Sequence, residues 1–373
     1  MKKFTKLLAI ALAAGSAFAL SACGESKNNI GSSAYWNALT NSVNDLTSDS
    51  TWLTNSEVAT YAISFKEGGN ANYKVEYNLD DTSSAYYKTE FYATQYVWNS
   101  DSTDGYKTDK TEYVYVYKTT LKLSGKYTYL ATGESKEFSD SVETISYFRS
   151  ATNSLEPVYS KQVIKTTAPA QLIPTSLDTC YTVIDSSYET FYNVDCTKAT
   201  INSYDATTGE SNSVELNDIN GTNMLYDANS LGLALRSFTF SSGTSYTFDT
   251  VVAPNGNVAT YLAQCNSTGT LNAEDEVESG IITALNESSP SDYIFVGADN
   301  DGNVNYNYNQ VTLSIVADLS GSSYSYWYAD VSGDLNATRA TMLKVSTPIY
   351  YNLGTLTYSL SSLNKVSDII IVD

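Results

Sequence analysis

The chain has 373 residues, with 41 acidic and 21 basic side chains, no histidine and a formal net charge of −20. That balance excludes a phosphate-backbone binder, which needs a basic stripe to release counterions, and the missing imidazole excludes Ser-His-acid and Cys-His catalysis and the commonest zinc sites. With 42% hydrophobic and 13% aromatic residues, including 32 tyrosines, the chain is too apolar for global disorder and has the composition of pleated, half-buried strands.

Lys2, Lys3 and Lys6 precede an apolar run over residues 7–20, the length of a signal peptide and too short for a membrane-spanning helix. The run ends in Leu20-Ser21-Ala22-Cys23, which resembles the lipobox of bacterial lipoproteins. The resemblance implies cleavage before Cys23, a diacylglyceryl group on its sulfur, palmitate among the acyl chains, and a location on the extracytoplasmic face of the cell membrane. The alternative is an ordinary secretory signal with an Ala-x-Ala-like cut. Cleavage removes three lysines, taking the 21 basic side chains to 18 against 41 acidic, a formal charge of −23. An anionic bilayer repels such a chain, so the anchor has to be the lipid, and two or three acyl chains suffice. The organisation expected is a signal peptide (1–22), a lipidated flexible tether (23–33) and an antiparallel β domain (34–373).

A helix is predicted after Ser33, with Trp36, Leu39, Val43 and Leu46 at helical spacing. From about residue 57 the period becomes two. Tyr73, Val75, Tyr77 and Leu79 alternate with polar residues, and Tyr113, Tyr115, Tyr117, Leu121 and Leu123 form a longer face whose length predicts a curved sheet. Further strands are predicted over 127–130, 142–148 and 158–165. The sequences around Gly133 and Gly209 echo one another, which predicts two similar hairpins with glycine at the turn. Residues 168–174, between Pro169 and Pro174, are the expected boundary if the domain divides into two sheets or subdomains. Cys180 and Cys196 lie on two β-like runs joined by a polar segment and are candidates for a cross-strand disulfide. Cys265 is left over and is read as a small buried hydrophobe.

Ser154-Leu155-Glu156-Pro157-Val158-Tyr159-Ser160, then residues 226–231 and 234–238, resemble the DUF3108-like group of exported β-proteins. In that group a T-x-L-x-P strand precedes a YDN-x-L…LR turn; here the threonine is missing and Ala228 is inserted. The resemblance implies a strongly curved antiparallel sheet or open barrel with no known chemistry. Arg236 is expected to pair with a carboxylate such as Asp227, in a structural role. Strands continue over 238–252 and 258–265. Asn272 is then predicted to cap a helix over 273–286, with acids on its first turn and a stripe of Val277, Ile281, Ile282 and Leu285. Strands resume over 293–296, 311–317, 324–328 and 348–360, the last with a sharp bend at Gly354.

Neither a P-loop nor a G-x-G-x-x-G occurs, and the lack of β-α alternation argues against a solute-binding protein of the periplasmic type. Asp299-Asn300-Asp301-Gly302 reads as a hairpin turn rather than a calcium loop built on Asp299 and Asp301, because Gly297 and Tyr308 occupy the outer ligand positions. Ser362-Leu363-Asn364-Lys365 fits S-x-x-K but lacks its companion motifs. No catalytic residue, metal ligand or cofactor is assigned.

The expectation is therefore an all-β protein with minor α: a large curved antiparallel sheet or open β-barrel, one N-terminal helix and one helix near residues 273–286. Functionally it is a non-enzymatic, membrane-anchored lipoprotein, its partner the lipid bilayer through the diacylglyceryl-cysteine, binding a hydrophobic or glycan ligand or an envelope protein on the curved sheet. The alternatives are a purely structural envelope protein, and a glycoside hydrolase with two carboxylates roughly 5–9.5 Å apart and Trp98 or Trp327 lining the cleft.

Overall fold

A computed structural model describes residues 57–98, 110–151, 154–221, 225–238, 240–287, 306–316, 323–330 and 341–365. Cys23, the predicted N-terminal helix, the strand over 293–296 and the Asp299–Asp301 turn lie outside the described residues. Alternation of apolar and polar side chains drives most of the rest into strands. The first half contains β1 (Glu57–Glu67), β2 (Tyr73–Tyr77), β3 (Tyr86–Trp98), β4 (Lys110–Tyr129), β5 (Ser135–Ala151), β6 (Ser154–Pro169), β7 (Tyr181–Tyr192), β8 (Lys198–Asp205) and β9 (Glu210–Asn217). The second contains β10 (Leu225–Asp227), β11 (Ser245–Val252), β12 (Asn257–Thr270), β13 (Asn307–Ile315), β14 (Tyr324–Ala329), β15 (Met342–Ile349) and β16 (Gly354–Lys365). Two short helices, α1 (Leu231–Ala234) and α2 (Glu276–Glu287), complete the described elements with several 3-10 turns.

All sixteen strands belong to one curved sheet. Two antiparallel meanders, β3 to β9 and β11 to β16, meet at β1, which pairs with β3 on one side and β16 on the other. The first and last strands of the described chain are thus neighbours. β10 pairs in parallel with β11 and also packs against β6 of the opposite meander, so the sheet curls back toward itself. Curling gives the inward residues of each strand a shared core. On β3, β4 and β5 this core begins with Phe91, Tyr115 and Phe148, whose rings stack with centroids 5.6 to 6.3 Å apart. Such pairs add about 0.5–1.5 kcal/mol each beyond area burial. Outward positions carry ion pairs such as Lys161–Glu189 and Lys74–Glu76, exposed enough to contribute little.

The long face at residues 113–123 and the run at 127–130 merge into the single 20-residue strand β4. The two glycine hairpins form as expected: Gly133 (φ 75) turns β4 into β5 and Gly209 (φ 74) turns β8 into β9. Residues 168–174 do not divide two sheets, because β6 and β7 remain hydrogen-bonded up to Pro169 opposite Tyr181. The predicted run over 348–360 is two strands. The chain reverses through the turn at Tyr350–Asn352, and Gly354 (φ 150) starts β16 so close to β1 that a Cβ there would lie 2.4 Å from the Lys66 carbonyl oxygen.

In α2, Asn272 accepts from the Glu274 N–H, but Asp275 caps the helix proper, accepting from the Val277 and Glu278 N–H groups at 3.0 Å. Starting three residues later than predicted leaves Val277 on the exposed first turn. The buried stripe is Ile281, Ala284 and Leu285, and the helix packs against β16.

Candidate ligand-binding cavity

After β9 the pattern changes. Leu225, Tyr226, Leu231, Leu233 and Leu235 form an apolar run too dense for one wet-faced strand, and all are buried. Residues 225–237 accordingly lie within the core cluster on the concave side of the sheet as a plug, passing from β10 through a 3-10 turn and α1. Asp227 N-caps the first turn, accepting from the Asn229 N–H at 2.8 Å. The same carboxylate accepts from the hydroxyls of Ser160 (2.7 Å), Tyr192 (2.5 Å) and Ser146 (3.3 Å). These residues sit on β6, β7 and β5, so one side chain fastens the plug to three strands. Burial raises the pKa of Asp227, and its four donors oppose that shift.

Arg236 closes the other end of the plug. It forms a bidentate ion pair with Glu57 of β1, with Nη2 3.0 Å from Oε2 and Nη1 on Oε1, and both residues are only 3% exposed. Arg236 therefore does not pair with Asp227. Four neutral donors already occupy that carboxylate, and the intervening helical turns carry the guanidinium to a different strand.

Beside the plug a cavity of about 110 Å³ remains. Its wall is mainly tyrosine, with Tyr77, Tyr87, Tyr117, Tyr127, Tyr326 and Tyr358 contributing. At its outer end Pro348 is exposed and Tyr350 half-buried, which marks the side facing solvent. Burial pushes the phenols of Tyr77, Tyr87, Tyr117 and Tyr127 well above their usual range, so they are neutral. Two further groups give the cavity its polarity. Asp140 on β5 is 7% exposed and accepts from the Thr167 N–H at 2.9 Å; burial pushes its carboxyl up to about 7, against the opposing effect of that hydrogen bond. Asn229 on the plug is 4% exposed, and its carboxamide oxygen has no hydrogen-bond partner. No lysine or arginine is among the described residues that line the space.

Tyr77, Tyr117, Leu121 and Leu123, read from the sequence as strand positions, line the space, whereas Cys180, Cys196, Cys265, Ser362 and Lys365 are not among its described lining residues. Cys180, Cys196 and Cys265 are buried, and none is in a disulfide. The expected Cys180–Cys196 bridge is not formed, for a geometric reason. Cys180 directly precedes the 12-residue β7 and Cys196 follows its far end, a separation on the order of 40 Å where a disulfide allows about 7 Å. Cys265, fully buried, is the small hydrophobe expected. Trp327 is on β14, where its ring lies 4.5 Å from the Lys344 ammonium, outside the cavity lining. The side chain of Trp98 lies outside the described residues. Ser362 and Lys365 are ordinary members of β16, opposite Thr60 and Glu57. Asp140 belongs to no motif, and Asn229 falls within the segment 226–231 without having been given a role there. The available signal was that Asp140 is in phase with Val142 and Thr144, a charge within the inward stripe of a strand.

No family model matches the chain, and no curated protein matches it. Among solved structures it is similar to a beta-barrel-like protein of the domain of unknown function DUF1849 from Brucella abortus, at 7% sequence identity and a TM-score of 0.41, over 84% of this chain and 98% of that one.

Proposed function

We propose that this protein is a non-enzymatic binding protein of the cell envelope, anchored by a lipid on Cys23, that holds a small ligand in the tyrosine-walled cavity. The observation that carries the reading is a buried space that combines apolar walls with an underused carboxylate and an unpaired carboxamide oxygen. Binding sites have this form: mostly apolar lining with a few convergent polar groups. A cavity of about 150 Å³ accommodates benzene, so the ligand core is of that order. A long acyl chain or oligosaccharide is too large for it, and the plug occupies the concave face on which a broad platform would lie. The hydrolase alternative needs two carboxylates facing one cleft, and Asp140 is the one acid among the lining residues.

Filling the space with Val142→Trp is expected to abolish binding of monocyclic probe compounds in equilibrium dialysis, at an overpacking cost of about 1–3 kcal/mol in stability. Unchanged binding in a folded variant would place the site elsewhere. The anchor has its own test: Cys23→Ser should lose radiolabelled palmitate and shift the protein from the membrane to the soluble fraction. Label that persists would refute the lipid.

A further inference from the structure

Resting on that reading, we propose that the ligand is a small organic cation, an alkylammonium whose charge is met by Asp140 and whose alkyl groups lie against the tyrosine wall. A carboxylate taken out of water is either neutralised or paired, and Asp140 has the hydroxyl and amide of Thr167 as donors but no lysine or arginine beside it among the described residues of the cavity. Two cations of the described core are committed elsewhere: Arg236 to Glu57, and Lys344 to Glu278 and the Trp327 ring.

The second observation is independent. Asn229, which lines the same cavity from the plug, is 4% exposed with a carboxamide oxygen that lacks a donor. A cation that also carries an O–H or N–H donor meets both deficits, its charge at Asp140 and its donor at Asn229, whereas a neutral alcohol leaves the carboxylate's charge uncompensated and an anion is repelled by it. The wall suits the same chemistry, because tyrosine faces attract cations most strongly where water is excluded.

The groups facing Asp140 from the packed elements are Tyr77 of β2, Tyr127 of β4 and Thr167 of β6. None carries charge, and among the described lining residues the Asp140 carboxyl is the one ionisable acid or base that is charged near neutral pH. Below about pH 7 it holds a proton, and binding the cation releases that proton to solvent while the ammonium keeps its own charge.

The test uses two probes of equal shape, choline and its uncharged carbon isostere 3,3-dimethylbutan-1-ol, titrated calorimetrically into the full chain at pH 8. Choline is expected to bind at least tenfold more tightly, and Asp140→Asn to erase that preference while binding of the alcohol persists. If the alcohol binds as well as choline to the wild type, or if Asp140→Asn keeps the preference, the cation assignment is overturned and the cavity reading stands. If neither probe binds and monocyclic probes are also indifferent to Val142→Trp, both are overturned together.

Discussion

Replacing Glu57 by glutamine is expected to destabilise the protein by about 3–5 kcal/mol, the range for removing one partner of a buried ion pair. The glutamine keeps the shape of the side chain, so the loss is electrostatic. Arg236 would stay at 3% exposure without the Glu57 carboxylate opposite its guanidinium, and it cannot discard the proton as a buried lysine can. Urea denaturation should show the midpoint falling with an unchanged slope, the mark of lost stability rather than an altered unfolded state. The double variant Glu57→Leu/Arg236→Met should recover most of the loss, because well-packed apolar pairs often replace buried ion pairs without penalty. A single variant that loses less than about 1 kcal/mol would show that the pair does not hold the plug. The same substitution should weaken ligand binding, since the plug carries Asn229 and also Gly232, whose carbonyl accepts from the Tyr328 hydroxyl at 3.1 Å.

Asp140→Asn is expected to act in the opposite direction, raising stability at pH 8 by about 2–4 kcal/mol and leaving it nearly unchanged at pH 4. The sign follows from proton counting. Burial holds the folded carboxyl at about 7, whereas the unfolded one ionises at its usual 3.8. Between those values the native state binds the proton and the unfolded state does not, so stability falls as pH rises from about 4 to about 7 and is level above. Asparagine has no proton to lose, and its carbonyl oxygen can still accept from the Thr167 N–H. Buried Asp227 is also raised and slopes in the same sense, but it is present in both proteins, so the difference between the two pH–stability curves isolates Asp140. Curves that run parallel from pH 4 to 8 would show that the carboxyl is not perturbed.

These expectations describe a division of labour. Asp227 and Arg236 are charges held by partners on the surrounding strands, and they fix the plug. Asp140 is hydrogen-bonded by Thr167 but has no counter-charge among the described lining residues, and its burial lowers stability at neutral pH. Groups that cost stability in this way concentrate where ligands bind, and the adjoining cavity supplies the place.

The sequence alone determined what is local. Period-two alternation sets each strand's inward and outward faces, glycine at positive φ sets the turns at Gly133 and Gly209, and acids on a first turn set the start of α2. Only tertiary structure decided which strands became neighbours, and everything in the candidate site follows from that. Arg236 reaches Glu57 across 179 positions and Ser146 reaches Asp227 across 81, while Cys180 and Cys196, 16 apart, are separated by the full length of a strand. Nothing in the local pattern distinguished Asp140, on an inward stripe, from a charge at a dry strand end, and the dense apolar run at 225–235 did not show which strands it would pack against. The physical reason is that alternation specifies a face without specifying what faces it; the curvature of the sheet does that, by the sum of many pairings between residues distant in the chain.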